Sequence, residues 1–194
     1  MPAGTQSPDP AYETEALFRM FAPFVARFLH RLGVRARDDL EDLVQEVFLV
    51  THRRGGYKPG AAHPTTWLAE IAVRVLADMR RKRRRRPLDL DEVAVESAVA
   101  HQMGPFDIAS TARQVARVHA VLETCDLDHR AVFVLFELEG RSCEDIAAGF
   151  NIPLGTVYSR LHKVRDKLRR DFQLRELMEL APICVVAQPV GDRS

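Results

Sequence analysis

The chain has 194 residues, 46% of them hydrophobic, with 11 prolines and 10 glycines; it can build one medium or two small cores and is not a disordered chain. Its 28 basic and 27 acidic side chains leave a net charge of +1, so bulk charge excludes nothing and its distribution has to be read instead. Three cysteines (Cys125, Cys143, Cys184) are too few and too scattered for a disulfide framework, no apolar run reaches membrane-spanning length, and Met1 to Pro10 lack a signal-peptide layout. A reduced, cytoplasmic protein without membrane insertion is expected.

Residues 1–10 read as a disordered tail. From Ala11 to Leu32, Leu17, Met20, Phe21, Phe24, Val25, Phe28 and Leu32 recur at helical spacing, with Pro23 expected to kink or split the helix and Gly33 to cap it. Asp38 or Asp39 is the expected cap of a second helix through His52, stopped by Gly55 and Gly56. Five acids between Asp38 and Glu46 line its polar side. After a loop over Tyr57–Pro64, Thr65 or Thr66 is expected to cap a third helix with Trp67, Leu68, Ile71, Val75, Leu76 and Met79 on its apolar face. That helix runs into seven consecutive basic residues, Arg80–Arg86, before Pro87. Such a block suits a helix C-terminus and binds phosphates, each neutralised phosphate adding salt-dependent affinity.

Residues 88–105 turn acidic (Asp89, Asp91, Glu92, Glu96) and read as a linker whose acids are expected to lie against the basic surfaces when DNA is absent. A fourth helix over about Phe106–Thr124 and a dense apolar fifth over about Asp128–Glu139 follow. Ser142 with Asp145 is a capping-box-like start, Asn151 is suited to a left-handed turn, and Pro153 forbids one continuous helix. Val157, Leu161, Val164 and Leu168 then repeat as an inward stripe. The outer side carries Thr156, Tyr158, Ser159, His162 and Lys163, which can hydrogen-bond base edges and phosphates, beside Arg160 and Arg165. Short helix, turn and basic helix make a helix-turn-helix. The division is therefore all-α: an N-terminal domain over 11–87, the linker, a C-terminal domain over 106–172, and an extension over 173–194 with no legible role.

With these motifs in this order the chain resembles the extracytoplasmic-function (ECF) group of bacterial RNA polymerase sigma factors. The resemblance rests on Asp39-Leu-Glu-Asp-Leu-Val-Gln-Glu-Val-Phe48, on Thr66-Trp67-Leu68-Ala-Glu-Ile-Ala72 with the basic run, and on Glu144-Asp-Ile-Ala147 with Ile152-Pro-Leu-Gly-Thr-Val157. It implies core RNA polymerase (β′ clamp helices and β flap), promoter DNA and an anti-sigma factor as partners. Asp39, Asp42, Gln45 and Glu46 would meet the polymerase. Tyr57, Lys58, Thr65, Thr66, Trp67, Arg74, Arg80, Arg81, Lys82, Arg83 and Arg84 would serve the minus-ten element. The loop before Trp67 would hold a base flipped from the melted strand, whose extrusion costs about a few kcal/mol. Thr156, Tyr158, Ser159, Arg160, His162, Lys163 and Arg165 would serve the minus-thirty-five element, with Arg160 on the DNA backbone. The chain departs from the family pattern at Val73-Arg74, Cys125-Asp126 and Tyr158, and an atypical minus-thirty-five preference is expected.

The rival reading is a helix-turn-helix regulator with an N-terminal sensing or dimerising domain, which leaves the acidic helix and the segment Trp67–Arg86 without a task. A metal or redox site at Cys125, His129 and Cys143 lacks a fourth ligand, and small buried or partly exposed thiols are the expectation. No nucleophile–base pair, phosphate-cradling glycine loop or carboxylate dyad points to an enzyme, and no cofactor is expected.

Overall fold

The computed structural model describes residues 14–60, 62–85, 115–116 and 118–172, and every regular element among them is helical. The N-terminal tail, Arg86, the acidic linker, most of the expected fourth helix and the C-terminal extension with Cys184 lie outside the described residues.

Helix α1 spans Thr14–Arg31 as one element, so Pro23 does not split it. Its missing N–H is tolerable because Pro23 and Arg19, whose carbonyl is thereby released, both lie on the exposed side. The buried side carries Leu17, Phe24, Val25, Phe28 and Leu29. Gly33 closes the helix at φ +97°, where a side chain would be strained, and Val34 N–H donates to the Leu29 carbonyl at 3.2 Å.

Helix α2 spans Arg37–Arg53 and starts one residue ahead of the expected cap. Ala36 occupies the cap position without a side-chain bond, and Asp38 and Asp39 fall in the first turn, where their charge complements the helix dipole. Helix α3 spans Pro64–Arg85. Proline opens it because a first-turn residue needs no N–H. Thr65 and Thr66 are therefore buried first-turn residues rather than caps. Leu68, Ile71, Ala72 and Leu76 of α3 meet Phe28, Leu29 and Val47 in the first core. A fully buried side chain of this kind contributes about 1.5–3 kcal/mol.

In the second half, residues 118–123 are helical and bury Val121 and Leu122. Helix α4 spans Leu127–Phe133 and its last turns, Val134–Leu138, widen into a π turn rather than continuing as the expected α-helix. Helix α5 spans Cys143–Phe150 and helix α6 Leu154–Phe172. The joint follows the sequence. Ser142 Oγ accepts the Asp145 N–H at 3.1 Å, and Asn151 takes the left-handed conformation at φ 50° and ψ 50°. Val157, Leu161 and Val164 are buried against α4 and α5 with Leu168 partly so.

The buried residues of both halves form one continuous cluster, with α3 packed against α4 and α5. Ion pairs Arg31–Glu139 and Arg35–Glu123 (3.2 Å) also cross between the halves. Among the described residues no helix is long and apolar enough to cross a membrane.

Candidate nucleic-acid interface

The outer face of α6 is open. Tyr158, Ser159, His162 and Lys163 are exposed and Thr156 is half-buried near the helix start. They share one side because the opposite stripe is fixed in the core, so burial of Val157, Leu161 and Val164 aims them outward. Two cations of the same helix are turned instead toward α4. Arg160 reaches Asp128 at 3.0 Å, and Arg165 holds Glu137 at 2.7 and 2.9 Å with its guanidinium over the Phe136 ring.

The start of α3 is covered. Asp145, in the first turn of α5, does not reach back to its own helix cap. Its carboxylate accepts the His63 N–H at 2.5 Å and the Thr66 hydroxyl, so an acid from the second half caps a helix of the first. Gly149 makes this approach possible: a Cβ there would stand 2.6 Å from Thr66 Cγ2. Beneath the same turn Tyr57 is buried, donates to the Ala62 carbonyl at 2.7 Å and meets Trp67 edge-on at 5.7 Å between ring centres. Trp67 is left half-buried, while Lys58 and His63 are exposed.

Farther along α3, Glu70 is buried and pairs with Arg54 at 3.1 Å and with Arg74. The basic end divides into roles. Arg80 turns inward to the Leu32 carbonyl at 2.8 Å, Arg81 pairs with Asp78 and Arg83 pairs with Asp39, while Lys82, Arg84 and Arg85 are exposed. On α2, Asp42 and Gln45 are exposed, and Glu46 lies 3.4 Å from Arg53.

Residues 17–86 match the model of sigma-70 region 2, and residues 117–168 match that of sigma-70 region 4. The chain is 33% identical to the ECF RNA polymerase sigma factor SigE of Mycolicibacterium smegmatis, over 92% of this chain and 67% of that one. It is 32% identical to the RNA polymerase sigma-H factor of Pseudomonas aeruginosa, over 81% and 90%. Among solved structures it is similar to the sigma factor RpoE of Bartonella quintana, crystallised with the anti-sigma factor NepR. There the TM-score is 0.61 at 25% identity, covering 83% of this chain and 97% of that one. The fold is shared with CnrH, solved with the cytosolic domain of CnrY, at a TM-score of 0.55 and 22% identity over 81% and 85%. The chain belongs to the ECF sigma factors of bacterial RNA polymerase.

As a sigma factor it holds several of its expected contact residues in internal tasks. Tyr57 is a strut under Trp67, Asp39 is engaged by Arg83, and Arg160 and Arg165 stabilise their own domain. The three charged ones were expected outside because sequence reports the charge of a helical position, not which neighbouring element faces it. Of the sigma factor's interdomain residues, Asp145 was expected only in the capping box of its own helix, and Arg35, Glu123 and Arg130 were given no task between the domains. Arg130 alone carries a signal, a charge at the edge of the apolar run Ala131–Phe136. It is 2% exposed, and burial, with Arg80 and Arg35 nearby, lowers its guanidinium pKa to about 10 against the pull of Glu123. Burial also lowers His119 and Arg80. Cys125 and Cys143 are pushed up by burial, Cys143 within the core and Cys125 partly buried against it, and no group of three ligating side chains converges among the described residues.

Proposed function

We propose that this sigma factor joins core RNA polymerase, reads a two-part promoter and assists its melting, acting by binding rather than by catalysis of its own. The observation that carries the reading is the face of α6, where Tyr158, Ser159, His162 and Lys163 stand exposed side by side on a rigidly packed helix. These side chains would contact the minus-thirty-five element in the major groove. Lys82, Arg84 and Arg85, exposed on α3, would follow promoter phosphates with Arg81. Asp42, Gln45 and Glu46 would offer acceptors to basic residues of the β′ clamp helices, with the second domain on the β flap. Trp67 and the first turn of α3 would receive the melted minus-ten strand with Arg74. That step requires α5 to leave α3, because Thr65 and Thr66 are buried in the compact arrangement. An anti-sigma factor, the kind of partner solved with the similar RpoE, would act by preventing this separation or the clamp contact.

The test is transcription from a DNA library by core polymerase, with and without the chain. Initiation at a shared two-part motif that disappears with Glu46→Lys is expected. Tight DNA binding with no association with core polymerase would sink the reading.

A further inference from the structure

The loop between α1 and α2, the C-terminal half of α3 and the start of α4 enclose a cleft of about 700 Å³. Cavities of roughly 300–1,000 Å³ are typical of small-molecule sites. Arg35, Arg80, Arg83 and Arg84 line it together with the apolar Val34, Leu76, Met79 and Leu127 and two carboxylates, Asp39 and Asp126, the latter 3.2 Å from His129. Asp39 is taken by Arg83, and Arg84 has no carboxylate partner among the described residues. Beside the cleft, Arg80 and Arg130 both bring guanidinium nitrogens within 3.5 Å of one point above Gly33. Arg130 is almost wholly buried, yet its Nε and Nη2 have no hydrogen-bond partner. The carboxylate beside them, Glu123, is 3.8 Å from Arg130 Nη2, half exposed and shared with Arg35 at 3.2 Å.

Arg35 and Arg130 thus share one partly solvated carboxylate, with the Arg80 guanidinium close to that of Arg130. Like charges held this close in a poorly hydrated space repel, and an unpartnered buried donor is costly. A small anion in the adjoining cleft, held by Arg35 and Arg80, would offset the repulsion. A single phosphate would engage only part of an array of four arginines, whereas a diphosphate spans it with paired charge-assisted bonds. The apolar wall leaves room for an attached organic group.

We propose that this cleft binds a small diphosphate-bearing molecule of the nucleoside diphosphate class. Because Arg35 and Arg80 come from the first domain and Asp126 and Leu127 from the second, the ligand would tie the two together and favour the closed arrangement.

The test is calorimetric titration of the full chain with inorganic pyrophosphate and with ADP at physiological ionic strength. Saturable binding of one ligand per chain is expected, with ADP at least as tight as pyrophosphate. Arg35→Gln removes a cleft cation outside the proposed promoter contacts. It should weaken both ligands by about tenfold while leaving affinity for unrelated duplex DNA unchanged. Arg27→Gln, on the exposed side of α1 and outside the cleft, should change neither. Equal losses in Arg27→Gln and Arg35→Gln would mean diffuse polyanion attraction and overturn the site. Binding that emerges only after Asp89, Asp91, Glu92 and Glu96 are changed to their amides would give the cleft to the chain's own carboxylates. Displacement of pyrophosphate by a short duplex, with Arg35→Gln weakening that duplex equally, would make the occupant DNA phosphate and likewise overturn it.

Discussion

The two surfaces proposed to meet promoter DNA are presented differently. The outer face of α6 is open to solvent, whereas Thr65 and Thr66 at the start of α3 are buried beneath α5 and capped by Asp145. Both states hang on the same short helix. α5 supports α6 from below through Ile146 and, from its other side, covers α3 through Asp145 and Gly149. On the proposed contacts, the compact chain would meet duplex DNA first and single-stranded DNA only after the halves part. The difference lies in packing, since both surfaces are made of ordinary hydrogen-bonding and basic side chains.

The largest expected effect comes from removing what the two surfaces share. Ile146 is fully buried between α5 and its neighbours. Ile146→Ala should lower stability by about 2–5 kcal/mol, the transfer term plus the cavity left behind. Urea unfolding followed by circular dichroism reads this directly. If duplex affinity fell while Thr65 and Thr66 remained covered, by hydrogen exchange at the α3 start, the common-support argument would fail.

The next test separates the surfaces. Lys163→Ala should weaken binding to the promoter duplex selected by transcription by about 1–3 kcal/mol and leave stability and single-strand affinity alone. An equal loss on unrelated duplexes would make Lys163 a phosphate contact only. On the covered surface the sign reverses. Asp145→Ala removes two cross-domain hydrogen bonds, each worth about 0.5–1.5 kcal/mol net. It should therefore raise affinity for a single-stranded minus-ten oligonucleotide severalfold, measured by fluorescence anisotropy, with duplex binding through α6 unchanged. Gly149→Leu should act in the same direction by crowding Thr66.

Much of α5 and α6 was legible in the sequence because the signals are local. Ser142 caps its own helix, Asn151 sits where φ is positive, and Pro153 interrupts the backbone within three residues of the turn. The heptad-like stripe of α6 is likewise complete within one element. What the sequence did not disclose depends on elements far apart in the chain. Asp145 reads as the acid of a capping box, three positions after Ser142, yet its carboxylate is spent 82 residues away on His63. Tyr57 reads as a loop aromatic free to meet a base, yet it is buried because Trp67 and the Ala62 carbonyl close over it. Asp38 and Asp39 read as caps, but α2 begins at Arg37, so their charge acts through the dipole. Pro23 failed to split α1 because its place on the exposed side depends on how the helix packs, which its neighbours in sequence do not reveal.

The smallest expected effect sharpens the division within α6 itself. Arg165 and Lys163 are both basic, two positions apart, and sequence treats them alike. In the fold Arg165 bonds Glu137 twice and lies over Phe136, while Lys163 is exposed and makes no such bond among the described residues. The Arg165–Glu137 pair is partly solvated, so screening limits its worth to below about 1 kcal/mol. Arg165→Ala should therefore cost about that much in urea stability and little in promoter affinity, the reverse of Lys163→Ala. The two readouts distinguish the roles because a residue that props up the helix moves stability on any DNA or none, whereas a residue that reads DNA moves affinity alone. A promoter loss for Arg165→Ala as large as that for Lys163→Ala would mean that Arg165 abandons Glu137 on DNA. The open surface would then extend around α6 beyond what the unbound packing presents.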